Sequence, residues 1–237
     1  LLCDLRFSKD GVAVCFHDEY INNKARNKDG SEIVELSEDE ILTDDMKLFV
    51  SALTIDELQL YDYGLYKNEE FAGTKMLLFE EMLDFCAAKN VSELYVEIKD
   101  GTEQQIKDAV NFANSYGITI SWAASTIEQA RWVIEYDSSA RISLMPYVIN
   151  NELTDQLNSL KTNNNKVFVF AFGNCILTDE EVKLLSVNDI AFEMGTINSE
   201  KEILNYWNGA YHYCSGIESD LVVASDIDVD STVGVGK

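Results

Sequence analysis

The feature that most constrains this chain is an alternation of two apolar patterns that begins near residue 93. Short apolar runs of strand length are followed by longer runs with apolar residues at helical spacing, which is the order of βα units in a parallel sheet. The pattern predicts helices in segments that include 103–115, 126–136, 178–185 and 199–211. It predicts seven parallel strands, at 1–6, 93–99, 118–123, 141–145, 166–172, 189–194 and 220–225.

Closing such a sheet into a barrel takes eight strands and removes its open edges. The run 12–17 is not counted as a strand of the barrel, because Lys9-Asp10-Gly11 before it indicates a tight hairpin, and so short a link joins antiparallel neighbours. The segment 20–74 is polar, fits no βα unit and is predicted to be an inserted excursion. We therefore expect residues 1–237 to form a single α/β domain, a (β/α)8 TIM-type barrel with a small insertion after its second strand. Its first strand is expected to be missing from this chain, upstream of Leu1.

The charge of the chain limits its partners. With 42 acidic and 18 basic residues the formal net charge is −24, which repels polyanions, so neither nucleic acid nor an anionic membrane surface is expected to bind.

The five cysteines have no CxxC spacing and are predicted to be buried free thiols. No apolar run approaches the roughly 20 residues of a spanning helix. A leader or anchor could precede Leu1, so the compartment stays open with the cytoplasm slightly favoured, and the oligomeric state is not predicted.

Ionisable residues at the carboxyl ends of the predicted strands are the candidates for a functional site, because catalytic groups of such barrels collect there. They are Asp4 on the opening strand, His17-Asp18 after the hairpin, and Glu97 with Lys99 at the end of strand 93–99. The i, i+2 spacing places Glu97 and Lys99 on one face of their strand, where a carboxylate and an ammonium would suit a metal and a phosphate. The alternative is an exposed strand end with a loose ion pair. Imidazole, with an unperturbed pKa of about 6.5, suits proton transfer, although a lone histidine is more often structural.

Several blocks of the sequence resemble the glycerophosphodiester phosphodiesterase family. The most specific run from Asp4 to Asp18 contains an acidic residue, the Lys9-Asp10-Gly11 hairpin and a His-Asp pair. Further blocks lie at 25–27, 29–31, 71–74, 79–81, 96–99, 195–198 and 222–226. The resemblance implies a phosphoric diester hydrolase that cleaves small-molecule glycerophosphodiesters to glycerol phosphate and an alcohol. It also implies two histidines acting as general acid and base.

Carried over to this chain, the resemblance implies that His17 is one of those two catalytic histidines. It implies that Asp4 and Glu97 are metal ligands and that Lys99 binds the substrate phosphate. The implied cofactor is a divalent cation, and hard oxygen ligands favour Mg²⁺ or Ca²⁺, with Mn²⁺ possible.

The chain also departs from the family pattern. Leu2 stands where the family has a glutamate, and the other family histidine is expected upstream of Leu1. Leu77-Leu78 replaces Pro-Thr, and Gly195 replaces a tryptophan. The remaining histidine, His212, lies in an aromatic run and is interpreted as a packing or surface residue. Two hypotheses follow, a phosphodiesterase with an altered metal site, or a degenerate, inactive member that acts as a binding or scaffold module. An unrelated barrel with coincidental motifs is a minor third alternative.

Overall fold

The computed structural model describes residues 1–37, 40–146, 148–172 and 177–195 and the backbone of 214–217. The chain divides into two compact units, Leu1–Ser121 and Trp122–Lys237. No helix in these ranges is both long enough and apolar enough to cross a membrane.

The first unit opens with an antiparallel hairpin. Strand β1 (Leu2–Phe7) pairs with β2 (Ala13–Cys15). The turn between them is closed by the Ser8 N–H, which donates to the Val12 carbonyl at 2.9 Å. Gly11 adopts a φ of +83°, which residues with a side chain rarely reach. The glycine therefore allows the tight turn that the Lys-Asp-Gly sequence predicts.

The described residues of the polar excursion, 20–37 and 40–74, contain no βα unit. They hold three 3₁₀ turns, Asp44–Met46, Val50–Ala52 and Glu69–Phe71, and one short helix, α1 (Ile55–Leu58), which Thr54 and Glu57 cap reciprocally. Apolar side chains from the excursion, from β2 and from the segment after the excursion form a small core of their own. Its buried members are Val14, Ile21, Ala25, Val50, Leu58 and Met76.

The rest of the first unit returns to the βα pattern. Helix α2 (Phe79–Ala88) precedes strand β3 (Glu93–Ile98), which pairs in parallel with β1. Helix α3 (Glu103–Asn114) begins with a capping box from Thr102 and Gln105. Strand β4 (Thr119–Ala124) follows β3 in the sheet and continues past the end of the unit.

The described part of the second unit repeats strand and helix without a hairpin. Its elements are α4 (Ile127–Tyr136), β5 (Arg141–Leu144), α5 (Asn151–Leu160), β6 (Lys166–Phe172), α6 (Asp179–Val187), β7 (Ala191–Gly195) and β8 (Cys214–Ile217). Strands β5 to β8 pair in parallel in sequence order. Trp122, Ile142 and Phe192 are fully buried among them and form the centre of this unit's core.

The fold class predicted from the sequence is confirmed, since the described residues contain seven parallel strands in α/β order. The predicted strand 189–194 begins later, at Ala191, because Asp189 takes a φ of +53° after α6. The sequence analysis placed no strand at Cys214–Ile217, where a short run with Ser and Gly has no strand signal. The predicted strand 220–225 and helix 199–211 lie outside the described residues. The single-domain assignment stays a prediction.

Candidate active site

Adjacent parallel strands bring three of the candidate residues together. The register of β1 and β3 pairs Asp4 with Glu97, and Lys99 follows on the same face of the chain. Lys99 Nζ lies 3.3 Å from Asp4 Oδ1 and hydrogen-bonds to Glu97 Oε1. The three side chains are only 15–18% exposed. The alternative of a loose ion pair at an exposed strand end therefore does not describe this cluster.

One oxygen of this cluster lacks a hydrogen bond. Asp4 Oδ1 is buried and accepts none from the described residues. The Lys99 ammonium is close enough for an ion pair but is not aligned as a donor. Buried polar atoms in native proteins nearly always have a partner, so this carboxylate oxygen is suited to a cation or water that the protein itself does not supply.

His17 lies next to this cluster because of the hairpin. The Phe16 N–H donates to the Asp4 carbonyl at 2.8 Å, which holds the end of the hairpin against β1. The His17 side chain is 69% exposed, and its Nδ1 lies 2.8 Å from Asp18 Oδ1. An ionised carboxylate can only accept, so Nδ1 donates, and Nε2 is the free acceptor of the neutral ring.

Sequence reasoning missed the pair of residues that fixes His17 in place. The Arg6 guanidinium donates to the His17 carbonyl from Nε at 3.1 Å and from Nη2 at 3.0 Å. Its Nη1 forms a 2.6 Å ion pair with Asp100 Oδ2. The available signal was the i, i+2 spacing of Asp4 and Arg6, together with Asp100 directly after Lys99, since both place charge at neighbouring strand ends.

A cavity of about 650 Å³ adjoins these residues. It is of the size that accommodates small ligands in proteins. Asp4, His17 and Asp18 line it, whereas Glu97 and Lys99 are not among its lining residues and adjoin it through Asp4. The excursion, with Lys75 directly after it, contributes further lining residues that sequence reasoning also missed, namely Lys24, Tyr63, Tyr66, Thr74 and Lys75.

The donor set fits a hard divalent ion with two protein ligands. Among the described residues, no group of three or more His, Cys, Asp or Glu side chains is arranged to hold a metal. Leu2, which lines the cavity, brings no oxygen where the family pattern has a glutamate. Mg²⁺, however, usually keeps several waters and binds through one or two carboxylates together with substrate phosphates. Asp4, with a buried oxygen that accepts no hydrogen bond from the described residues, and Glu97 meet that requirement.

Comparisons with known proteins bear on the family and the fold of the chain. Residues 3–116 match the model of the glycerophosphoryl diester phosphodiesterase family. A search of curated proteins finds no significant match. A phosphodiesterase of Oleispira antarctica, solved in complex with the product sn-glycerol-3-phosphate, has a similar structure at 14% identity and a TM-score of 0.70. That alignment covers 92% of this chain and 80% of the other.

Two further structures show the same likeness. A glycerophosphoryl diester phosphodiesterase of Parabacteroides distasonis is 15% identical with a TM-score of 0.64, over 98% of this chain and 78% of the other. A glycerophosphodiester phosphodiesterase of Agrobacterium tumefaciens is 12% identical with a TM-score of 0.64, over 92% and 82%. At such identities the likeness shows the fold, and the family model shows the predicted enzyme class, a phosphoric diester hydrolase. Residues 3–116 therefore match the glycerophosphoryl diester phosphodiesterase family model, and the resemblance predicted from the sequence motifs is confirmed.

Proposed function

We propose that this protein hydrolyses a glycerophosphodiester to glycerol phosphate and an alcohol at the cavity lined by Asp4 and His17. The observation that carries the proposal is the cluster of Asp4, Glu97 and Lys99 on neighbouring strands, next to a cavity that also contains an imidazole. Two carboxylates that can hold a cation, an ammonium that can contact a phosphate and an imidazole that can transfer a proton are suited to phosphodiester hydrolysis.

In the proposed reaction, water adds to phosphorus and the bond from phosphorus to the alcohol oxygen breaks. The water must lose a proton and the departing alcohol must gain one. His17 is the proposed group for one of these transfers, with Asp18 holding its ring in a single tautomer, and the other proton is exchanged with solvent water. Arg6 acts as a positioning residue, because it holds the His17 carbonyl.

Asp4 and Glu97 are the proposed ligands of a divalent cation, Mg²⁺ or Ca²⁺, with Mn²⁺ also suited to oxygen ligands. Such an ion neutralises charge on the phosphoryl oxygens. Lys99, 3.3 Å from Asp4, adds a second positive charge beside a bound phosphate and keeps the two carboxylates together in its absence.

Hydrolysis of glycerophosphocholine by protein expressed from its complete gene tests the proposal. Release of sn-glycerol 3-phosphate is followed after chelator treatment, with and without added Mg²⁺ or Ca²⁺. We expect metal-dependent turnover that His17→Asn lowers by about 100- to 10,000-fold. Glu97→Gln is expected to raise the metal concentration needed for half-maximal rate by about tenfold or more.

Glu93→Gln, at the opposite end of the same strand, is the matched control and should leave the metal requirement unchanged. If the His17 and Glu97 variants both retain wild-type rates and metal dependence, the site assignment is wrong.

The second candidate function is a binding or scaffold module that no longer hydrolyses its ligand. Two observations favour it, Leu2 at the position of a family glutamate and a single histidine among the described residues that line the cavity. Absence of turnover from folded protein, together with saturable binding of sn-glycerol 3-phosphate measured by calorimetry, would support this function over hydrolysis.

A further inference from the structure

The excursion forms one wall of the cavity with a chemistry of its own. We call Lys24, Tyr63, Tyr66, Thr74 and Lys75 the excursion wall; all five line the cavity with Asp4 and His17. None of them belongs to the cluster of charged residues on β1 and β3. The wall therefore offers a second set of contacts to whatever occupies the cavity.

Backbone hydrogen bonds hold the wall in a defined shape. The buried carboxylate of Asp62 accepts the N–H groups of Gly64 at 2.8 Å, Leu65 at 2.9 Å and Gly73. The Tyr63 N–H donates to the Thr74 carbonyl at 2.9 Å, which ties the two ends of the loop together. A ligand that binds here meets preorganised groups and loses little of its binding energy to ordering the loop.

The Tyr63 side chain anchors the wall to the rest of the unit. Its hydroxyl donates to the Leu58 carbonyl at 2.9 Å, and its ring packs edge-on against Phe16, with 5.8 Å between the centroids. Phe16 directly precedes His17, so the wall packs against the residue next to the candidate catalytic histidine.

Two lysines give the wall a local positive charge. Lys24 Nζ lies 5.4 Å from the centroid of the Tyr66 ring, and Lys75 Nζ donates to the Gln59 carbonyl at 2.7 Å. Within the part of the chain that the structure describes, neither ammonium has a carboxylate oxygen within 4.0 Å. Asp62 is the acidic group that Lys75 influences, and its oxygens already accept three backbone N–H groups.

We propose that the excursion wall binds a second phosphate, carried by the alcohol part of the substrate. This inference rests on the proposed function and names its substrate class. Asp4, Glu97 and Lys99 with a divalent cation leave one positive charge, which matches the single negative charge of a phosphodiester. The ammonium groups of Lys24 and Lys75 are not needed to balance the charge of the phosphodiester. Their two positive charges match the negative charge of a phosphomonoester on the alcohol.

The net charge of −24 does not prevent this binding. Charges farther away than the Debye length, about 8 Å at physiological ionic strength, are largely screened, so the potential inside the wall depends on nearby charges, chiefly the two lysines and the carboxylates of Asp62 and Asp18. The binding should accordingly weaken as salt is raised.

A quaternary ammonium alcohol such as choline fits the wall poorly. Tyrosine rings can bind such cations through their faces. Lys24 already lies over the Tyr66 ring, and Lys67 Nζ lies 6.0 Å from the same centroid. A third cation at that ring would meet repulsion from both ammonium groups.

The test compares glycerophosphoinositol 4-phosphate with glycerophosphocholine, by kcat/KM and by calorimetric binding, on the protein from the complete gene. Lys24→Gln, Lys75→Gln and the double variant are measured, with Lys67→Gln as the matched control. Lys67 shares the Tyr66 ring but does not line the cavity. We expect the ratio of the two kcat/KM values to favour the phosphorylated substrate and to fall about fivefold for each cavity lysine removed.

The outcomes separate this inference from the proposed function. If wild-type protein hydrolyses neither compound, the proposed function fails. The calorimetric binding of the two compounds then tests whether the wall binds a second phosphate. Tighter binding of glycerophosphoinositol 4-phosphate that the double variant loses and Lys67→Gln keeps supports the inference. Equal binding of the two compounds, or a ratio unchanged in the double variant, overturns it.

Discussion

Replacing Arg6 with lysine tests whether one guanidinium holds the His17 segment against the sheet. The Arg6 side chain is 11% exposed and makes three hydrogen bonds, two to the His17 carbonyl and one to Asp100. Hydrogen bonds that involve a charged group contribute about 1.5–3 kcal/mol each. A lysine ammonium can reach either the His17 carbonyl or Asp100, but it cannot donate to both as the planar guanidinium does. We therefore expect Arg6→Lys to lower the free energy of unfolding by about 2–3 kcal/mol.

Urea denaturation followed by far-ultraviolet circular dichroism measures this loss, provided that the m-value is unchanged. Arg26→Lys is the matched control, because Arg26 pairs at 3.2 Å with Glu32, whose side chain is 63% exposed. An exposed pair of this kind contributes less than about 1 kcal/mol. If Arg6→Lys costs no more than Arg26→Lys at equal m-values, the guanidinium does not hold the segment and the reasoning is refuted.

Three further predictions concern other parts of the first unit. His17→Asn should leave the free energy of unfolding within about 0.5 kcal/mol of wild type while hydrolysis is lost, because the side chain is 69% exposed. Asp62→Asn should cost about 1–3 kcal/mol at pH 7, because the amide cannot accept all three backbone N–H groups. Gly101→Ala should destabilise by about 2–4 kcal/mol and Gly30→Ala by about 1 kcal/mol. Both glycines have positive φ, but only at Gly101 would a Cβ lie 2.6 Å from the Phe7 ring.

The pH dependence of the Asp62 variant follows from the direction of its pKa shift. Burial acts to raise the pKa of Asp62, but the backbone hydrogen bonds outweigh it and the pKa lies below its usual value. The carboxylate therefore stabilises the fold above its unfolded pKa of about 3.9, and this contribution is lost as pH falls through the lower folded pKa. Denaturation curves of wild type and Asp62→Asn should converge in acid. If the difference in free energy of unfolding between the two proteins stays the same in acid, the carboxylate does not stabilise the fold in this way.

The other two predictions are checked by chemical denaturation. For His17→Asn, a stability loss above about 1 kcal/mol would contradict the expectation that this exposed side chain contributes little to the fold. For the glycine pair, equal costs would show that Phe7 moves aside without penalty and that backbone conformation alone determines both values.

Local patterns in the sequence were sufficient for the fold class and for the identity of the candidate residues. The period of the apolar residues distinguishes strand from helix without any knowledge of distant contacts, and it indicated α/β order from residue 93 onward. The hairpin before His17 was also predictable, because Lys9-Asp10-Gly11 is a turn signal and Gly11 supplies the positive φ. The i, i+2 spacing of Glu97 and Lys99 followed from strand geometry alone.

Tertiary structure decided which of these residues meet. The pairing of Asp4 with Glu97 depends on the register of two strands that are far apart in sequence. The period of two residues fixes which face of each strand is buried, but registers that differ by two residues bury the same faces. The contacts of Arg6 with His17 and Asp100, and the arrival of Lys24 and Lys75 at the same cavity, likewise depend on how the excursion folds back on the hairpin. The sequence by itself thus determined the elements and the chemistry available, because these depend on neighbouring residues. The geometry of the site required the folded chain, because it arises from contacts between distant ones.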